Sequence, residues 1–414
     1  MSFSYRRVLK GIFRDIWIAH TVSQVGTQVT LLALPFTAAL TLNATPFQMG
    51  ILTAAGTLPN LLFSLIIGVW VDNWPKRITL ITADLIRAFL LFTIPVFAVL
   101  HMLSIEILVI VAFLMGIASI VFEVAMASII PVVVGRERLM ESNALLETSR
   151  STATTVGPAL GGVVVDILGP PFALLLDSLS FVCSAFFLRH IDVEKPPPSV
   201  SDTSFWELLF GGFREMQKSP LLAALARTAT IWNLSSAINN AVLILYVTRE
   251  LHLSAAQFGI MTTMLGIGMV LGSTIVGWIQ QRFVLGSVFM ASGLVATFAS
   301  IGVITALLLP ETLRFIYLVI IEGICGIGYS IFVIGIGSFR QAATRDAVQG
   351  KVTASFRFLM MGGMPIGALI GGSIGARFGL LPALVVGTCG LFVAWGMLWV
   401  STVPTMKRIP EPVE

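Results

Sequence analysis

Apolar stretches of about twenty residues follow one another along nearly the whole chain, separated by short polar connections. A hydrocarbon core about 30 Å thick takes roughly 20 apolar residues per helix, and every backbone polar group inside it must be satisfied within the segment. The 414 residues accommodate spans at 16–40, 46–71, 78–100, 105–130, 141–167, 171–189, 222–248, 255–281, 285–309, 313–335, 352–377 and 380–402. Little chain is left for a soluble domain. Only 11% of the residues are charged, against about a quarter in soluble domains. The expectation is an all-α membrane protein with twelve transmembrane helices.

With the N-terminus inside, 18 of the 25 Lys and Arg fall on the cytoplasmic side, three (Arg249, Arg314, Arg377) outside, and four (Arg87, Arg150, Arg227, Arg357) within spans. The positive-inside rule then predicts a multi-pass protein of the cell (plasma or inner) membrane with both termini cytoplasmic. It also accounts for the net charge of +4 without a nucleic-acid partner. Cys183, Cys325 and Cys389 all fall in spans, in no disulfide or zinc spacing, and neither metal nor cofactor is expected. The basic residues 1–15 precede an apolar stretch too long for a cleaved signal, so they read as leading into a retained first helix.

An internal repeat organises the spans. Gln48, Gly50, Ile51, Thr53 and Gly68 recur as Gln257, Gly259, Ile260, Thr262 and Gly277 at an offset of 209; Gly116, Arg150 and Pro158 recur as Gly323, Arg357 and Pro365 at an offset of 207. Eight matches in order at half the chain length predict two pseudo-symmetric six-helix bundles that rock about a midplane site. The expected domains are an N-terminal bundle over 1–189, a cytoplasmic linker over 190–220 and a C-terminal bundle over 221–414. In the linker, Pro196, Pro197 and Pro198 precede Phe205, Trp206, Leu209, Phe210, Phe213 and Met216 at helical spacing, with Glu207, Arg214 and Lys218 opposite. This predicts an amphipathic helix lying on the inner membrane surface.

Two motifs stand out. One is Gly68-Val-Trp-Val-Asp72-Asn-Trp-Pro-Lys76-Arg77, joining the second and third spans. A carboxylate at a helix end, followed by fixed cations, can hold a neighbouring helix N-terminus and release it when bundles rock apart. The other is Gly157-Pro158-Ala-Leu-Gly161-Gly162 in the fifth span, where small residues permit close helix approach and Pro bends the span. Gly268 and Gly272 offer it a partner face, while Gly367, Gly371 and Gly375 are placed to meet Ser64 and Gly68.

The Gly68–Arg77 motif resembles the signature loop of the major facilitator superfamily, with Asn73 where that family usually has Arg. The Gly157–Gly162 motif is similar to the one typical of its exporters and antiporters. The stretches Gly135-Arg-Glu-Arg-Leu-Met-Glu-Ser-Asn143, Asp177-Ser-Leu-Ser-Phe181 and Ser254-Ala-Ala-Gln-Phe-Gly259 resemble the transmembrane secretion effector branch, which includes macrolide and siderophore exporters. The resemblance runs from about 15 to 400 and implies the major facilitator fold. Ala112 stands four residues before Gly116, where proton-coupled drug exporters of the superfamily carry a relay arginine.

An ionisable residue in mid-span costs about 2.5–3.5 kcal/mol on insertion scales, so it is normally paired, cavity-facing or functional. Asp84 with Arg87, and Glu147 with Arg150, have the i, i+3 spacing of helical pairs, and Arg227 lies near enough to a surface to snorkel. The repeat-related Arg150 and Arg357 are assigned, with Gly68, Asp72, Lys76 and Arg77, to the cytoplasmic gate, Arg357 facing Asp72. Glu123, Glu322 and Asp177 have no opposite charge at i±3 or i±4. Buried carboxylates of this kind can exchange protons near neutral pH, which makes them the proton-coupling candidates, Glu123 first. Gln24 and Gln28, beside His20, Ser23 and Thr27, and Asn233, Ser236, Asn239 and Asn240 in the first span of the second half, are the substrate-cavity candidates.

These readings converge on a monomeric secondary transporter exporting lipophilic or amphipathic small molecules by proton antiport and alternating access. Its partners are that substrate, protons and the lipid bilayer. The alternative is a nutrient importer of the same fold. No nucleotide-binding loop or recognisable catalytic motif is present, so neither ATP drive nor enzymatic activity is expected.

Overall fold

The computed structural model describes residues 11–72, 74–189 and 205–406. The first helices are α1 (Ile12–Phe36), α2 (Pro46–Asp72), α3 (Lys76–Val99), α4 (Ile105–Val134), α5 (Leu139–Leu168) and α6 (Pro170–Leu188). After them come the short α7 (Phe205–Lys218), then α8 (Pro220–Arg249), α9 (Ala255–Arg282), α10 (Leu285–Thr305), α11 (Glu311–Ala342), α12 (Gln349–Phe378) and α13 (Leu380–Gly396). Among the described residues, ten helices, α3 to α6 and α8 to α13, are long and apolar enough to cross a membrane. At 25 and 27 residues, α1 and α2 match them in length. Several helices outrun the apolar stretches that predict them. α11 continues to Ala342 rather than 335, because the polar residues Ser338, Arg340 and Gln341 extend the helix beyond its oily segment.

The helices form two compact units. One takes α1, α2 from Ala55 onward, α3 to α6 and residues 254–259. The other takes residues 45–54, α7, α8, α9 from Ile260, and α10 to α13. In the first unit α6 packs between α1 and α3, α5 lies against α1, and α4 against α3. Its core gathers Phe13, Ile16, Val71, Leu80, Phe122, Ile129 and Leu188. In the second unit α8 packs on α12 and α13, and α10 on α11. There Phe289 stacks on Phe332 at 4.8 Å between ring centroids, and Trp232 lies 4.9 Å from Phe332.

Single-residue hinges separate two of the helix pairs. Gly169 between α5 and α6 has φ 80° and ψ 150°, and Gly379 between α12 and α13 has φ 97° and ψ 168°. That backbone region is essentially reserved for glycine, so one residue reverses the chain without a longer loop.

The glycines of α5 and α12 sit at helix contacts: α5 meets α9 as the sequence suggested, but at Ala255 and Gly259 rather than Gly268 and Gly272, and α12 takes other partners. A Cβ on Gly157 would stand 2.5 Å from Gln28 Cβ, and one on Gly162 would overlap the Ala255 carbonyl oxygen. Gly367 and Gly371 abut the backbones of Leu234 and Ile238 on α8, while Gly372 meets Gly50. Gly268 and Gly272 serve α11 instead of α5, lying against Gly323, Gly326 and Ile327. Gly375 meets Pro46 and Val242, and Gly68 has open space around it. The α12 glycines thus spend their flat face on α8 and the start of α2 rather than on Ser64 and Gly68. Spacing identifies a flat helix face; it does not say which flat face it meets.

α7 forms over part of the expected amphipathic segment. Residues 190–204 of the linker, and the side chains of 205–209, lie outside the described residues. Beyond them, Gly212 lies against the Lys351 carbonyl, Phe213 packs edge-on to Phe358, and Met216 is buried. Glu215 bonds Lys218 at 2.6 Å and Arg345 at 3.2 Å. Of the stripe's described side chains, Phe213 and Met216 pack on protein, and Phe210 remains exposed.

Candidate functional site

A cavity of about 680 Å³ opens within the first unit. Three helices wall it with stripes at helical spacing: His20, Ser23, Gln24 and Thr27 from α1; Ser119, Phe122, Glu123, Met126, Ala127 and Ile130 from α4; Leu139, Asn143, Leu146, Glu147 and Arg150 from α5. Positions at i, i+3, i+4 and i+7 share one helix face, so each wall is contiguous. Arg87 enters from α3. Trp17 Nε1 donates to Ser149 Oγ at 2.9 Å and ties α1 to α5 beside the cavity.

Its charges fall into pairs and one remainder. Arg150 holds Glu147 bidentately, Nε to Oε2 at 3.0 Å and Nη2 to Oε1 at 2.9 Å. Arg87 pairs with Asp84, which also accepts from Ser184 Oγ at 2.6 Å. Both expected i, i+3 pairs thus form. The Arg87 guanidinium lies between the rings of Phe122 and Phe181, 4.1 and 4.2 Å from their centroids, a geometry that partly offsets the loss of water around a cation. Glu123 is the remainder: exposed in the cavity rather than buried as the sequence suggested, it has no ion pair among the described residues. Its charge acts on both Arg87 and Arg150. His20 Nδ1 and Arg87 Nε are buried there with no hydrogen-bond partner among the described residues.

The other coupling candidates sit differently. Asp177 is fully buried at the α1–α6 contact, accepting from Thr30 at 2.5 Å and Ser180 at 2.8 Å. Its partners are hydroxyls on an adjacent turn and on a helix distant in sequence. Glu322 is buried in α11 of the second unit, without hydrogen bond or ion pair among the described residues.

The substrate-cavity candidates divide. Gln24 lines the cavity. Gln28 is buried against Gly157 instead. Asn233 donates to the Ala229 carbonyl of its own helix at 2.8 Å, and Asn239 is buried against Gly387 and donates to Ser300 at 3.2 Å. Ser236 is half-buried and Asn240 exposed. Sequence reasoning missed Ser119 and Asn143, which become visible only when the α4 and α5 stripes are read in register with α1.

Of the gate residues, Lys76 is buried at the start of α3 and its Nζ donates to the Val71 carbonyl at 2.5 Å, a cation on the negative end of α2. Arg77 is exposed. The Asp72 side chain lies outside the described residues, and with it the expected Asp72–Arg357 pairing. Arg357 is exposed and, with Ala354 at i−3, lacks the intrahelical carboxylate that holds Arg150.

A bacterial homologue of the iron transporter ferroportin, crystallised in an inward-facing state, matches the chain with a TM-score of 0.76. The match covers 96% of this chain and 99% of that one at 16% identity. The fold is thus the major facilitator fold, and the family model that matches the chain places the protein in the multi-pass membrane transporter class. The chain belongs to the transmembrane secretion effector family, whose model matches residues 4–412. Among curated relatives, the enterobactin exporter EntS of Citrobacter koseri is 25% identical over 288 residues, 70% of this chain and 67% of its own. The multidrug efflux pump Tap of Mycolicibacterium fortuitum is 23% identical over 396 residues, 91% and 94% of the two chains.

Proposed function

We propose that the protein exports amphipathic, cationic small molecules across the cell membrane by proton antiport. In this reading α1 and α2 complete twelve spans, the two halves are 1–189 and 221–414 joined by 190–220, both termini are cytoplasmic, and the protein works as a monomer. Gly68, Asp72, Lys76, Arg77, Arg150 and Arg357 gate the cytoplasmic side. The relatives named as an exporter and an efflux pump support the outward direction.

The observation that carries this reading is Glu123. Among the described residues, every other charge facing the cavity has an ion-pair partner, which leaves Glu123 the one carboxylate without such a pair, beside an apolar wall of Phe122, Met126, Ile130 and Leu146. Such a site takes a proton or the cationic end of an amphiphile, but not both. Competition for one carboxylate is the minimum requirement for exchange: each occupant displaces the other, and each biases the facing it binds better. Glu322 is the second candidate for the proton path, while Asp177 serves the α1–α6 contact.

The test is flux of a cationic dye such as ethidium in proteoliposomes with an imposed pH gradient. The gradient should drive dye uphill, and Glu123→Gln should abolish that drive. Wild-type flux indifferent to the gradient would remove the antiport claim.

A further inference from the structure

In the second unit a polar and an apolar crevice meet at one arginine. Arg227 is exposed on α8, seven residues past Pro220, and so about 10 Å along the axis from the helix start. Its Nε donates to the Ala223 carbonyl at 3.2 Å. No acidic side chain pairs with it among the described residues, leaving the guanidinium fork free.

On one side lies a crevice of about 490 Å³, rimmed by Ser401, Thr402 and Thr405. On the other lies one of about 530 Å³, walled by Phe213, Met216, Ile231 and Leu359. Arg227 and Met397 line both, so the two crevices adjoin at these side chains. Each volume is within the roughly 300–1,000 Å³ of ligand clefts.

We propose that Arg227 binds the phosphate of an anionic phospholipid, with the hydroxyl rim receiving the headgroup and the crevice between α7, α8 and α12 receiving acyl chain. Three features select this occupant. A guanidinium presents a planar fork that matches phosphate oxygens. The polar wall adjoins the first turn of α8, near a membrane surface, and the apolar wall reaches further along the span. A single cation with no carboxylate partner among the described residues favours an anion over the cationic amphiphile proposed for the first unit, so this site is separate from that transport reading.

Full-length protein in detergent, titrated with phosphatidylglycerol, phosphatidylcholine or glycerol phosphate, tests the proposal by thermal unfolding and by native mass spectrometry of retained lipid. Phosphatidylglycerol should bind saturably and raise Tm. Its affinity should fall about tenfold in Arg227→Gln, as expected for losing a charged hydrogen-bond pair. Leu359→Trp, which keeps the guanidinium but fills the crevice, should also weaken binding; Arg377→Gln, which removes an exposed charge from the last turn of α12, should not. Equal affinity in Arg227→Gln and wild type would overturn the proposal. So would phosphatidylcholine matching phosphatidylglycerol, or glycerol phosphate giving the same shift, which would mark a free-phosphate site. Should Arg227→Gln fail to fold, unaltered binding in Leu359→Trp overturns the acyl-chain assignment by itself.

Discussion

The Thr30 hydroxyl of α1 donates to the Asp177 carboxylate of α6 across 2.5 Å. Gly26, one turn earlier on α1, makes this contact possible: a Cβ there would overlap both Ser180 Oγ and Asp177 Oδ1. Gly26→Ala should therefore push α1 off α6 and destabilise the protein by about 1–3 kcal/mol, the usual cost of overpacking. Gly56→Ala, which meets nothing within 4 Å, should leave Tm unchanged or raise it slightly. Thermal unfolding in detergent reads both.

Removing Glu147 should alter the cavity through Arg150. In Glu147→Gln the guanidinium loses its bidentate partner and presents an unbalanced positive charge. A penalty on the order of 1–2 kcal/mol on a cationic dye follows, raising KM roughly tenfold with a smaller effect on kcat. Glu137→Gln, an exposed change outside the cavity, is the control. A KM that stays put in Glu147→Gln would contradict the electrostatic reading of the site.

Asp166 caps α9. Its carboxylate accepts from the backbone nitrogens of Ala255 and Ala256, both at 3.1 Å, where a helix leaves donors unsatisfied and favours negative charge. Asp166→Ala should cost about 0.5–2 kcal/mol of stability. Asp166→Asn should retain part of it, since the amide oxygen still accepts. Hydrogen exchange at 255–258 should rise in the order wild type, Asn, Ala.

The attachment of α7 carries a pH dependence. The Lys218 ammonium, and after it Arg345, hold the Glu215 carboxyl below the ordinary range. A depressed folded-state value contributes stability above the unfolded carboxylate's value, near 4.3, and loses it as pH falls through the folded value. Exchange protection of α7 should thus be constant from neutral pH to about 5 and fall only in more acidic solution. Glu215→Gln should show weaker protection at neutral pH and a flatter acid response.

The fold was legible at the level where composition and periodicity speak. Apolar segments of membrane length, the repeat offsets of 207 and 209, and the polar stripe of α1 follow from residues alone, because helix geometry converts spacing into faces. The intrahelical pairs Asp84–Arg87 and Glu147–Arg150 were equally readable. Partners on other helices were not. Gly268 has the spacing of a mate for α5 and meets α11; Asn239 has the polarity of a cavity residue and is buried against Gly387.

The sequence by itself determined that this chain is a bundle of membrane helices in two related halves, since insertion into hydrocarbon depends on local, additive properties of each segment. Only the tertiary structure decided which acid faces open space, leaving Glu123 in a cavity while Asp177 is sealed by Thr30 and Ser180. The physical reason is that a carboxylate's role depends on its surroundings in three dimensions. Those are set by the rotation of each helix against its neighbours, a quantity no single helix encodes.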